Sequence, residues 1–440
     1  MLYIKNIDTG GSQKRRCDKT LTSCSRCINF QDLQPHWHNI SSRRVGMDNY
    51  FVGLVMETLT KQCVSVERVL EEYFCDIHPW FSVIIEPGFR KRLSHRKPCA
   101  ETAMLLLTVF MVTGSHDQSS NDTHRTRIYQ IGKYLFSFLQ LPREPSLEMV
   151  QSGLLLVLYE LRASRLNEAS ESVGNCARLG YTLRLNIDHE RRRVWCGLYM
   201  LDRIICQIAT EFRAPRAVEE PDANFRLPID DVFCYKPKTQ LPGNSHPSFS
   251  TPLQVPLCYF AREIQTSRIL GQVQLLCRSS DADWSYQQFA VLDRTLMQFM
   301  ETLFEQTPGS WAVLCGANAI CLASAIILHQ DRLSRAARGA ISSSDLDTSF
   351  LAITTYIKMV GDICSKFDAL EPNRKIPCVP LPAVMCTGEA VLAVRYPKQS
   401  YGLAFHFDEE PFRRILVHAT RTWNLADEYL RRTTDVTRFR

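Results

Sequence analysis

From Trp311 to Leu328 the chain reads WAVLCGANAICLASAIIL, without one charged residue. Such a run belongs either in a lipid bilayer or at the centre of a protein. A spanning helix usually needs about 20 strongly apolar residues. This run is diluted with Ala, Gly, Cys and Ser, and it contains Asn318. It therefore predicts a fully buried helix at the centre of a bundle, with no membrane. The rest of the chain must then supply amphipathic helices to surround it.

The apolar spacing supplies them. From Tyr50 onward, Leu54, Leu59, Val66, Leu70 and Phe74 sit near helix-face spacing, in a stretch that ends before Pro79. A second apolar run covers Thr102–Thr113. A third, Arg127–Gln140, places Ile128, Ile131, Tyr134, Leu135 and Phe138 on one face. Pro142 and Pro145 follow, and Ser146 is a suitable N-cap for SLEMVQSGLLLVLYELR, with Glu148 near the positive end of the helix dipole. Further helices are expected over residues 166–185, from Asp188 onward, and over 255–278, 284–306, 310–336, 345–370 and 410–432. Residues 213–252 are rich in Pro and Asp and read as an extended surface connection. Strand-like alternation is nearly absent. The fold class is all-α: one large multi-helix domain over residues 50–435. Residues 36–49 read as a flexible linker, and residues 1–35 as a small metal-binding segment.

Composition agrees with a large core. Hydrophobic residues make up 45% and charged residues 22%, which excludes a disordered chain. The 17 cysteines are scattered from Cys17 to Cys386, unlike the dense pattern of a secreted disulfide scaffold, and predict reduced thiols. The opening MLYIKNIDTGG lacks the apolar run of a signal peptide. Cytosol or nucleus is the expected compartment. Residues 1–50 hold eight Lys or Arg against four Asp, so +4 of the net +6 is concentrated there. That segment favours an anionic partner.

Cys17, Cys24 and Cys27 stand in the spacing C-x6-C-x2-C. Thiolates this close suit zinc, and the pair Cys24 and Cys27 can hold one ion from a single tight turn. Lys14, Arg15 and Arg16 lie just before the first cysteine and Lys19 just after it. A basic linker with three free cysteines is the plainer alternative. Three thiolates cannot complete two tetrahedral zinc ions, although one ion with His36 or His38 as fourth ligand is conceivable.

Farther along, Val194, Leu198, Leu201 and Ile205 form an apolar stripe, with Trp195, Tyr199 and Asp202 on a neighbouring face. Arg191, Arg192 and Arg193 fall at the N-terminal end, where cations oppose the dipole, so carboxylates such as Asp188 and Glu190 are expected to offset them. Asp202 and Arg203, being adjacent, should diverge and pair with different elements. His78, before Pro79, reads as a structural residue. There is no H-E-x-x-H, no G-x-x-x-x-G-K-[ST], no G-x-G-x-x-G and no G-x-S-x-G. No acid, base and nucleophile combine into an enzyme site.

These pieces together resemble the fungal zinc binuclear cluster transcription factors. In that family six cysteines follow C-x2-C-x6-C-x5–12-C-x2-C-x6–8-C and hold two zinc ions. Cys17, Cys24 and Cys27 match the third, fourth and fifth; the first two would fall at Ile7 and Gly10, and the sixth at Gln34, Pro35 or His36. Lys14, Arg15, Arg16 and Lys19 match the basic stretch that contacts phosphates and base edges of double-stranded DNA. The middle of the chain resembles the family's second domain. VLEEYFCDIHPWFSVIIEPGF (69–89) matches its opening through Leu70, Tyr73, Phe74, His78, Pro79, Phe81 and Phe89. SLEMVQSGLLLVLYEL (146–161), GNCARLGYTLRLN (174–186), HERRRVWCGLYMLDRI (189–204) and FRAPRAVEEPDANFRLP (212–228) follow in family order. The resemblance implies a nuclear transcription regulator, with a truncated or degenerate zinc cluster and an all-α regulatory domain. Its implied partners are DNA where the cluster functions, other transcription regulators and a small-molecule effector. Pathway-specific gene sets, such as secondary-metabolite clusters, are the implied targets. The alternative is a co-regulator of the same fold that does not bind DNA.

Overall fold

The computed structural model describes residues 40–94, 99–113, 122–140, 144–185, 189–209, 215–230, 247–306, 315–337, 343–368, 379–400 and 407–434. By backbone contacts the chain divides into two units, Met1–Asp48 and Asn49–Arg440. Of the first unit only the opening turns of one helix are described. Among the described residues there are fifteen α-helices and no strand; one isolated antiparallel bridge joins Arg226 and Ser248.

The front helices are α1 (Ile40–Lys61), α2 (Val66–Asp76), α3 (Glu86–Leu93), α4 (Ala100–Thr113), α5 (Asp122–Gln140), α6 (Leu147–Arg162) and α7 (Leu166–Leu183). Then comes α8 (His189–Ile208). The rear helices are α9 (Tyr259–Arg278), α10 (Ala282–Glu305), α11 (Cys315–Ala337), α12 (Ser343–Asp368), α13 (Leu381–Ser400), α14 (Glu410–Thr420) and α15 (Asn424–Thr434).

α11 is the centre that the charge-free run predicts. Residues 316–329 are buried without a break, and α9, α10, α12 and α13 all pack on the helix. A helix apolar on every side has no face to offer water. Trp311–Leu314, the start of that run, lie outside the described residues. No described helix is long and apolar enough to cross a membrane. A second layer stacks α4, α6 and α7, with α2 and α5 flanking α4. α8 joins the two groups, touching α6 and α7 on one side and α9 and α13 on the other.

Local chemistry sets the helix ends. Ser146 caps α6 as expected, its hydroxyl accepting the Met149 N–H at 3.3 Å. Ser65 does the same for Arg68 at 3.2 Å, and Asp281 for Trp284 at 3.0 Å. Such a cap satisfies one of the four unpaired N–H groups of a first turn.

Several boundaries differ from the sequence pattern. The stretch from Tyr50 to Pro79 is two helices, because Cys63 adopts φ 52° and Ser65 begins a new helix. Residues 40–49, read as linker, are already helical in α1. The pattern over 410–432 is also broken in two: Trp423 turns inward and donates its ring N–H to Val379 O at 2.7 Å. α3 and α13 were not expected at all. Pro87 and Pro382 argue against helix in a linear scan, yet both sit in a first turn, where no N–H is needed. Residues 215–230 form the non-helical connection the sequence predicts. The eleven cysteines whose side chains are described are free thiols.

Between α2 and α3 the chain runs through Trp80–Ile85, all buried and none helical. It lies against Gly197 of α8, where an added Cβ would collide with Val83 Cγ1. Gly197→Ala is therefore expected to lower stability by about 1–3 kcal/mol through overpacking. The urea midpoint of the full chain, followed by circular dichroism, measures this.

Candidate functional site: the arginine face of α8

The charges on α8 resolve into two clamps. Arg193 is buried. Its Nη1 donates to Ser82 O at 3.2 Å and to Ser82 Oγ at 2.6 Å, and its Nη2 donates to Ile229 O at 2.6 Å. Ser82 Oγ lies 3.1 Å from His78 Nε2, and the His78 ring packs edge-on against Phe74. His78 is thus a structural corner residue, tied through Ser82 to α8. Gln151 of α6 donates to Val83 O at 2.8 Å, completing the support of this irregular segment. Arg191 donates to Leu183 O at 3.1 Å, at the C-terminal end of α7 where carbonyls lack helical partners. Carbonyls thus hold two of the three arginines expected to need carboxylates. The side chains of Asp188 and Glu190 lie outside the described residues.

The second clamp corrects an expectation. Asp202 and Arg203 do not part ways: Arg203 Nη1 is hydrogen-bonded to Asp202 Oδ2. Both also hold one loop. Asp202 accepts the N–H groups of Ala217 at 2.9 Å and Val218 at 3.4 Å, while Arg203 donates to Val218 O at 2.9 Å. Adjacent Cβ atoms do diverge on a helix, but the long arginine stem folds its head back to its neighbour once the loop supplies a shared target.

Glu220 closes the cluster. It accepts from Tyr199 Oη at 2.9 Å and pairs with Arg203 at 3.4 Å and with Arg268 of α9 at 3.1 Å. The Arg203 guanidinium also stacks over the Tyr199 ring, 4.4 Å from its centroid. Arg216 donates to Gly271 O, and Gln274 donates to Arg203 O at 2.8 Å. Burial alone would lower Arg203, but Tyr199, Asp202 and Glu220 more than offset it and keep it charged. Arg216 is lowered, first by burial and then by like charge from Arg203. Burial raises Asp202 above the usual carboxylate range, against the pull of the Ala217 N–H and of Arg203.

Chemically this is a staple. Its carboxylates are spent on guanidinium and amide donors, and the adjacent Cys196 thiol is pushed up by burial, away from reactivity. Among the described residues no three His, Cys, Asp or Glu come together as a metal site. Asp202 and Arg203 were visible in the sequence. Glu220 and Arg268 were not: Glu220 stands in a Glu-Glu-Pro turn with no periodicity, and its partners come from two distant helices. The residues expected to meet zinc and DNA (Lys14, Arg15, Arg16, Cys17, Lys19, Cys24 and Cys27), together with His36 and His38, lie outside the described residues.

A family profile described as the fungal specific transcription factor domain matches residues 70–301, just over half of the chain. No curated protein and no solved structure matches it. The matched range contains both clamps.

Truncating Asp202 leaves a buried guanidinium without its carboxylate. Asp202→Ala should cost about 3–5 kcal/mol. Glu220→Gln removes a half-buried partner and should cost only about 1 kcal/mol, since solvent already screens it. The difference in urea midpoints between the two variants checks the assignment.

Proposed function

Because the chain belongs to the family of the fungal specific transcription factor domain, we propose that it is a nuclear, sequence-specific regulator of transcription whose front segment reads DNA. The family match over residues 70–301 carries this reading. The helical unit is the regulatory module of such a protein, a role that needs no catalytic constellation. The concentration of positive charge in residues 1–50 supports an anionic partner for the front segment.

In this reading Lys14, Arg15, Arg16 and Lys19 contact DNA phosphates and base edges. Cys17, Cys24 and Cys27 bind zinc. Three thiolates do not fit a two-zinc cluster; they fit one tetrahedral ion completed by His36 or His38. The targets are a pathway-specific gene set such as a secondary-metabolite cluster, in keeping with the family's usual roles. The helical unit takes a small-molecule effector and contacts other regulators.

A second reading has its own support. Ile7 and Gly10 stand where the family places its first two cysteines. A co-regulator that has given up DNA would show this pattern.

Two measurements on the full chain separate the readings. A DNA reader should hold zinc by elemental analysis and lose DNA affinity steeply with salt. Alanine at Lys14, Arg15, Arg16 and Lys19 should then flatten the salt slope by about 0.9 for each phosphate contact removed. A chain without zinc and without salt-dependent DNA affinity is the co-regulator.

A further inference from the structure

α13 and α15 meet at Gly388, where the Tyr429 ring rests directly on the α13 backbone and any Cβ would collide with it. One residue on, Glu389 is buried in the seam. Among the described residues its one side-chain donor is Gln207, near the end of α8, which donates to Glu389 Oε1 at 3.2 Å. The Tyr429 hydroxyl is buried in the same seam without a hydrogen-bond partner. Arg432 of α15 is the cation that acts on Glu389, but its guanidinium is held by Glu428 at 3.2 Å.

We propose that Glu389 is a protonation latch: neutral, it lets α15 stay docked on α13, and ionised, it loosens α15 from the body of the protein. The groups around Glu389 leave no other exit. Toward α15 it meets Tyr429 and Arg432, and toward α8 only the neutral Gln207. On α13 itself Cys386 lies near Tyr429. Among the described residues α11, α12 and α14 bring no charged group that acts on Glu389. An ionised Glu389 thus has one neutral donor and no ion pair in the docked state. A buried carboxylate in that position is costly. α8 and α13 are locked against α9 and α11, whereas α15 packs mainly on α13, α14 and the edge of α6. Release of α15 admits water to the carboxylate, which solvates its charged form.

The sign follows from linkage. Burial pushes Glu389 up to about 7, against the lowering by Gln207 and Arg432. The docked form therefore holds the proton more tightly than the released form. Docking is firmest below the ordinary carboxylate range and weakens as pH rises, by about tenfold per pH unit, until it levels off near the docked value.

Hydrogen exchange of the full chain, corrected for the intrinsic pH dependence, reads this directly. Protection across Asn424–Thr434 should fall by about a hundredfold over the two pH units below neutrality, while that of α11 does not fall with it. In Glu389→Gln, α15 should stay protected at every pH. Gln207→Leu leaves both latch helices intact and removes the donor that favours the ionised form, so its levelling point should move to higher pH. Protection of α15 that ignores pH in the native chain overturns the latch. So does an unchanged pH response in Glu389→Gln, or an unchanged levelling point in Gln207→Leu.

Discussion

A buried stretch of irregular backbone must find a hydrogen-bond partner for each N–H and carbonyl, and this protein buries several such stretches. Trp80–Ile85 carries no helical ladder, yet all six residues are buried. Leu253 and Val255 are half-buried in another connection. Arginine meets the need in each case: Arg193 serves Ser82 and Ile229, Arg203 serves Val218, and Arg262 serves Leu253 and Val255, both at 2.6 Å. A planar guanidinium offers five donors in fixed directions, so one side chain satisfies carbonyls from two segments together. α8, which packs on both helix groups, carries two of these arginines.

The same economy explains a pair of neighbours on α9. Arg262 and Glu263 are both buried, are opposite in type, and do not pair. Arg262 is committed to carbonyls and to Gln265 at 2.8 Å. Glu263 lies against Gly316 at the start of α11, and burial raises it well above the usual carboxylate range. On α9 the buried Arg262 is satisfied by backbone and amide oxygens rather than by the carboxylate next to it.

The elements legible in the sequence are those whose cause is local. Ser146 before an apolar run is a cap in any context, and the stripe Val194, Leu198, Leu201 and Ile205 can only face a core. The charge-free run of α11 specified its own position. The features that escaped depend on position or on distant partners. Pro382 breaks a helix interior but opens a helix, and the residue type does not say which. The left-handed turn at Cys63 carries none of the usual glycine signal. The meeting of Asp202 with Arg203 depends on a loop that arrives some fifteen residues later, at Ala217 and Val218. The front segment is the reverse case. Its expected chemistry rests on Lys14, Arg15, Arg16, Cys17, Lys19, Cys24 and Cys27, all of which lie outside the described residues.

The central position of α11 has a consequence for synthesis. Two of its packing partners, α9 and α10, precede it in the chain, and two, α12 and α13, follow it. The core around it cannot close until α13, ending at Ser400, has left the ribosome. Until then the nascent chain holds its central helix with one side bare. A slow or stalled ribosome downstream of Ala337 lengthens the interval in which such a chain can aggregate.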